Sequence, residues 1–143
     1  MAILLGGFAL GQPRPDAPPA RPAGVRFAAV DVYVDSGNQP LAAWQFELSA
    51  RRGRFTIVGV EGGEHPAFHE APYYDPAALQ RGRIIVAAFS TGNDIPRGRT
   101  RVATVHVMIE GGETPDYGIE IAAAASKEGE AIQAEIRAIE GKR

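Results

Sequence analysis

Apolar and polar residues alternate with a period of two through most of the chain after residue 25. The clearest case is the segment in which Trp44, Phe46 and Leu48 are separated by polar residues. Successive side chains of a β-strand point to opposite faces, so this period predicts strands with one buried and one solvent-facing side. The runs with strand character are 28–34, 44–49, 55–60, 83–89, 100–109, 117–121 and 132–138.

Two of these runs need a separate interpretation. The run from Arg83 to Phe89 is apolar without alternation after Arg83, and such a run predicts a strand that is covered on both faces. Residues 130–140 alternate as a strand would, but Ile132, Ile136 and Ile139 also share one face of a helix. The glycine-containing segment just before them resembles a hairpin turn, which favours the strand.

Turn-forming residues separate the predicted strands. The chain contains 17 Gly and 11 Pro, and these residues cluster at Ser36–Pro40, Gly92–Asp94 and Pro96–Gly98. Asp75 followed by Pro76 has the N-cap pattern of a single helical turn. Seven or more strands without a long helix predict an all-β fold, an antiparallel β-sandwich of jelly-roll or immunoglobulin-like type.

The first 24 residues differ in composition from the rest of the chain. Residues 1–11 are apolar and end in small residues, as a secretory signal peptide does, although no Lys or Arg precedes Arg14. The alternative is a short apolar segment that packs on the domain. Residues 12–24 contain five prolines and predict an extended linker, with a PxxP recognition ligand as the alternative. We therefore expect the folded domain to span residues 25–143.

Charge and residue content exclude several classes of function. The 15 Lys and Arg residues nearly balance the 17 Asp and Glu residues, so the basic excess expected of a nucleic-acid-binding protein is missing. The chain has no cysteine, which excludes disulfides and thiolate chemistry. The apolar run 2–10 is shorter than the roughly 20 residues that a bilayer span needs. We therefore expect no membrane anchor unless further residues precede Met1.

No motif assigns a catalytic residue, a cofactor or a metal ligand. The sequence has no G-x-S-x-G nucleophile elbow, no phosphate-binding loop and no dinucleotide fingerprint. His65 and His69 have the spacing of a zinc-binding pair on a helix, but Pro66 between them disfavours a helix interior. We therefore expect a protein that is not an enzyme and uses no cofactor. A small metal-dependent hydrolase is an alternative.

The longest segment without strand periodicity, residues 62–80, is the candidate binding loop. Aromatic rings with a polar handle are typical of surfaces that contact sugars or proteins. The alternative is that the loop folds back over one end of the sandwich and buries Tyr73 and Tyr74. The candidate binding residues in this loop are His65, Phe68, His69, Tyr73 and Tyr74.

Five segments follow one another in a distinctive order: VDVYV (30–34), LAAWQFEL (41–48), IVGVEGG (57–63), GRIIVAA (82–88) and GRTRVATVHV (98–107). Their order and character resemble the cohesin modules. The resemblance extends over about residues 25–140 and consists of a pattern of strands, without a short signature motif.

This resemblance implies a jelly-roll β-sandwich without catalytic activity, related in fold to some carbohydrate-binding modules. Cohesins bind dockerin modules in extracellular polysaccharide-degrading assemblies, and their contact residues form no local motif, so no contact residue is assigned from them. We therefore predict an exported binding module, periplasmic, cell-surface or secreted, whose partner is a dockerin-like or other cell-surface protein. A carbohydrate-binding module that uses loop aromatics on a polysaccharide is the alternative.

Overall fold

The computed structural model describes residues 24–141. The predicted export segment, residues 1–11, lies outside the described residues, and so does the predicted linker, residues 12–24, apart from Gly24. Residues 142 and 143 also lie outside them. Within the described range, no helix has the length and apolar character needed to cross a membrane.

Eight β-strands and two short 3₁₀ helices form the described part of the chain. The helices are Pro66–Phe68 and Pro76–Ala78, and the Asp75 side chain caps the second one by accepting a hydrogen bond from the Ala77 N–H at 2.9 Å. The strands are β1 (Arg26–Asp35), β2 (Ala43–Arg52), β3 (Phe55–Gly62), β4 (Tyr73–Tyr74), β5 (Arg83–Phe89), β6 (Arg99–Ile109), β7 (Asp116–Ala125) and β8 (Glu135–Glu140).

The strands form two four-stranded sheets, which confirms the predicted antiparallel β-sandwich. Sheet A has the order β3-β6-β1-β8 and sheet B the order β4-β5-β2-β7. Every strand pair is antiparallel. An immunoglobulin sandwich places its first two strands in the same sheet, whereas β1 and β2 lie in different sheets here. The arrangement is therefore of the jelly-roll type.

The core lies between the two sheets and is built from the alternating residues. Val30, Val32 and Val34 of β1 face Phe46 and Leu48 of β2, and all five are fully buried. Each buried aliphatic or aromatic side chain of this size stabilises the fold by about 1.5–3 kcal/mol. The period of two therefore assigns the core faces of both strands correctly.

The C-terminal segment is a strand, as predicted, over Glu135–Glu140. It pairs with β1 from Val30 to Asp35 and forms one edge of sheet A. Ile136 and Ala138 pack against the core, while Glu135, Arg137 and Ile139, which alternate with them, are exposed. A helix uses its backbone N–H and C=O groups internally and could not form the β-ladder with β1. Pairing with β1 therefore favours the strand over the helix.

The prediction that β5 is covered on both faces is wrong. Ile84 and Val86 are buried in the core, but Ile85 is 42% exposed and Phe89 is 62% exposed. The reason is that the sandwich has two layers, and no described element covers the outer side of sheet B. The uninterrupted apolar run therefore places large hydrophobic side chains on the surface.

Candidate protein-binding face

The loop between β3 and β5 is fixed to β6 by a close backbone approach at Gly63. A Cβ atom at this position would lie 2.2 Å from the carbonyl oxygen of Arg101, which leaves no room for a side chain. The next residue, Glu64, donates its N–H to the same carbonyl at 3.0 Å. Its carboxylate accepts the Arg101 N–H at 2.8 Å. The start of the loop therefore lies so close to the β6 backbone that only glycine, which has no Cβ, fits there.

Two of the candidate aromatic residues of the loop belong to the core side of the structure. Phe68 is only 3% exposed, and its ring packs edge-on against Trp44 with 5.9 Å between the ring centroids. Tyr74 is half-buried and packs against the core. Phe68 therefore anchors the loop and is not available to a partner.

The two loop histidines make local contacts that shape the loop. His65 caps the helix Pro66–Phe68, because its Nδ1 accepts a hydrogen bond from the Ala67 N–H at 3.0 Å. His69 Nδ1 lies 2.8 Å from the carbonyl oxygen of Pro66, to which it donates. In residues 24–141 no three His, Asp or Glu side chains are grouped as metal ligands would be. The geometry gives no support to a hydrolytic metal centre.

Tyr73 is the one candidate residue with a large exposed aromatic surface. It lies on the short strand β4, opposite Ala87 of β5, and is 68% exposed. Its ring is nearly parallel to that of Phe89, with 11° between the planes and 6.2 Å between the centroids. The two rings form a stacked aromatic pair on the outer face of sheet B.

Ile85 extends this pair along β5, and we call Tyr73, Ile85 and Phe89 the aromatic patch. The neighbouring positions of the ladder are small: Ala43 lies opposite Phe89, and Ala87 lies opposite Tyr73. Contiguous exposed apolar surface of this kind is typical of interaction sites in soluble proteins. The patch is therefore the best-supported contact surface among the described residues.

The periodicity argument missed Ile85 and Phe89, although a signal for them was present. Arg83, Ile85, Ala87 and Phe89 have the same parity, so they share one face of the strand. The charged Arg83 marks that face as the solvent side. A two-layer sandwich leaves one face of each sheet uncovered, and this fact would have assigned both residues to the surface.

An ion pair lies on the same face beside the patch. The Arg83 guanidinium donates to both carboxylate oxygens of Glu47, and its Nη2 lies 3.0 Å from Oε2. The hydrogen bonds from Arg83 hold the pKa of the Glu47 carboxyl below its usual range. Because both groups are solvent-exposed, we expect this pair to orient side chains more than it stabilises the fold.

Comparison with known proteins supports the fold. No protein-family model matches the chain, and no curated protein matches it. A chain in the crystal structure of a cohesin–dockerin complex at pH 5.5 is similar to it, with a TM-score of 0.55 and 13% sequence identity. The similarity covers 76% of this chain and 82% of that chain. At this identity the comparison shows a shared β-sandwich fold.

Proposed function

We propose that this protein is a non-catalytic binding module that recognises another protein through the outer face of sheet B. The observation that carries the proposal is the aromatic patch, in which two large rings are each more than three-fifths exposed. Buried aromatic side chains dominate the affinity of protein interfaces, and they cluster near the centre of the contact. Tyr73 and Phe89 have the position and exposure of such a centre.

The outer face of sheet A is a poorer choice because its central side chains already bind one another. Thr104 bridges Asp31 and Arg101 through hydrogen bonds of 2.8 and 2.9 Å. His106 Nε2 lies 2.9 Å from the Glu61 carboxylate. Polar groups that already bind one another contribute little affinity when a partner covers them, whereas covering exposed aromatic rings favours binding.

A dockerin-like module is the partner class that the shared fold suggests, since the similar chain comes from a cohesin–dockerin complex. The proposal includes export: residues 1–11 serve as a signal segment, residues 12–24 as a linker, and residues 25–143 form the binding domain. It places the module outside the cytoplasm, as a periplasmic, cell-surface or secreted protein. N-terminal sequencing of the protein after expression in a secreting bacterial host tests this part, and an unprocessed chain retained in the cytoplasm would contradict it.

Titration calorimetry of the full chain against a panel of purified dockerin modules, with and without calcium, tests the proposal. We expect at least one module to bind, and we expect the Tyr73→Ala, Phe89→Ala double variant to bind at least about tenfold more weakly. The matched control is Phe27→Ala, since Phe27 is 71% exposed and lies on β1 of the other sheet. An unchanged affinity in the double variant would contradict binding through the outer face of sheet B. If no module of the panel binds, the dockerin assignment is overturned.

A carbohydrate ligand is the second candidate, favoured by the parallel rings of Tyr73 and Phe89. The flat apolar side of a sugar ring stacks on aromatic faces, and an exposed pair of parallel rings offers such a face to a polysaccharide. Affinity electrophoresis in gels that contain soluble polysaccharides tests this candidate. A carbohydrate ligand is favoured if the protein is retarded in such a gel, if Phe89→Ala abolishes the retardation and if Tyr73→Phe preserves it. Phe at position 73 retains the aromatic surface for stacking.

A further inference from the structure

Arg51 lies at a β-bulge where β2 runs beside β7. In this ladder Ala50 pairs with Tyr117 and Arg52 pairs with Asp116, so Arg51 is the extra residue on its strand. Arg51 has the parity of Gln45, Glu47 and Ser49, so its side chain lies with theirs on the outer face of sheet B. The bulge leaves it without a partner residue on β7.

The Arg51 side chain lies over Gly118, which is opposite Ser49 on the outer face of sheet B. A Cβ atom at position 118 would be 3.0 Å from Cγ and 3.3 Å from Nε of Arg51. Gly118 is buried in spite of its outward position, because the arginine stem covers it. The missing side chain of Gly118 thus creates the space in which Arg51 is held.

The Arg51 guanidinium has no acidic partner within residues 24–141, where no carboxylate oxygen lies within 4.0 Å of it. This differs from Arg83 on the same face, which is paired with Glu47. A guanidinium carries five N–H donors in a planar fork that fits a carboxylate. Two further exposed arginines, Arg52 and Arg54, follow it in the chain, and the exposed Asp116 lies opposite Arg52.

We propose that Arg51 binds an Asp or Glu side chain of the protein partner while the aromatic patch receives the partner's apolar residues. This inference rests on the proposed function, because the partner has to lie along the outer face of sheet B. Gln45 is level with Tyr73 through Ala87, and Arg51 lies six positions further along β2. At about 3.4 Å per residue, the partner's acidic group lies roughly 20 Å from its apolar anchor.

Titration of the full chain with tri-glutamate, followed by NMR of the arginine Nε–Hε signals, tests the site without the protein partner. We expect a saturable shift of the Arg51 signal that is lost in Arg51→Gln and kept in Arg137→Gln, an exposed arginine of β8. Gly118→Ala should weaken binding several-fold without removing the charge, because its Cβ displaces the Arg51 side chain. Equal shifts of all arginine signals would overturn the proposal.

A second arm separates acidic peptides from acidic sugars, since uronic acids also carry carboxylates. A larger Arg51 shift with tri-galacturonate than with tri-glutamate would overturn the protein assignment.

With a dockerin module that binds, Arg51→Gln should lower the affinity about tenfold and reduce its dependence on salt. If tri-glutamate binds at Arg51 but no module of the panel binds, carboxylate recognition stands while the proposed partner class fails. If a module binds and Arg51→Gln leaves its affinity unchanged, this inference fails while the proposed function stands.

Discussion

The Tyr117 hydroxyl donates a hydrogen bond of 2.7 Å to the Glu140 carboxylate and so joins the two sheets. Tyr117 lies on β7 of sheet B, and Glu140 is the last residue of β8 in sheet A. Arg26 donates to both oxygens of the same carboxylate, at 3.2 and 3.3 Å. This cluster closes the end of the sandwich at which β1 begins.

Tyr117→Phe should destabilise the fold by about 1 kcal/mol, because it removes a hydrogen bond to a charged group. Burial, together with the hydrogen bond to Glu140, raises the pKa of the Tyr117 hydroxyl well above its usual value. A raised folded-state pKa contributes stability that is complete below the unfolded pKa of about 10 and is lost as pH rises further. Urea unfolding at pH 9 and pH 11 should therefore show a smaller loss in Tyr117→Phe than in the wild type. Equal losses in both proteins would contradict the assignment.

Phe68→Ala should destabilise the fold by about 3 kcal/mol or more, since it removes a buried aromatic ring that packs on Trp44. Tyr73→Ala, in the same loop, should change the free energy of unfolding by less than about 0.5 kcal/mol. Thermal unfolding of the two variants measures the difference. Similar effects would mean that the loop does not divide into a buried anchor and an exposed contact residue.

Gly63→Ala should destabilise the fold by about 1–3 kcal/mol, because its Cβ would meet the Arg101 carbonyl and the backbone would have to move. Gly59→Ala is the matched control, because Gly59 lies in β3, the strand that leads into the loop. Nothing lies within 4 Å of a Cβ at position 59, so stability should stay the same or rise by up to about 1 kcal/mol. Chemical denaturation distinguishes the two, and an unaffected Gly63→Ala would show that the loop start can shift freely.

Thr104→Val should cost about 1–2 kcal/mol, although the two side chains have nearly the same shape. The Thr104 hydroxyl is fully buried, donates to Asp31 and accepts from Arg101, and valine can do neither. Thr56→Val, on the half-buried outer side of β3, is the control and should change stability by less than about 0.5 kcal/mol. The prediction fails if both variants unfold at the same urea concentration.

Part of the candidate site follows from the sequence and part does not. Tyr73 is found because it lies in a long aromatic segment between two strand runs. Phe68 and Tyr73 are both aromatic loop residues, and nothing in their local sequence says that one anchors the loop while the other faces solvent. That difference arises from contacts with Trp44 and β5, which are distant in the chain.

The period of two by itself determined the strand class, the inward residues of β1 and β2, and the all-β sandwich. This is possible because the alternation of side chains along a strand is a local property of the backbone. The tertiary structure decided that the face shared by Arg83, Ile85 and Phe89 is uncovered, since coverage depends on the number of layers. It also decided that Arg51 covers Gly118, because these residues meet only when β2 and β7 pair in this register. Burial and register are relations between distant segments, and no local pattern contains them.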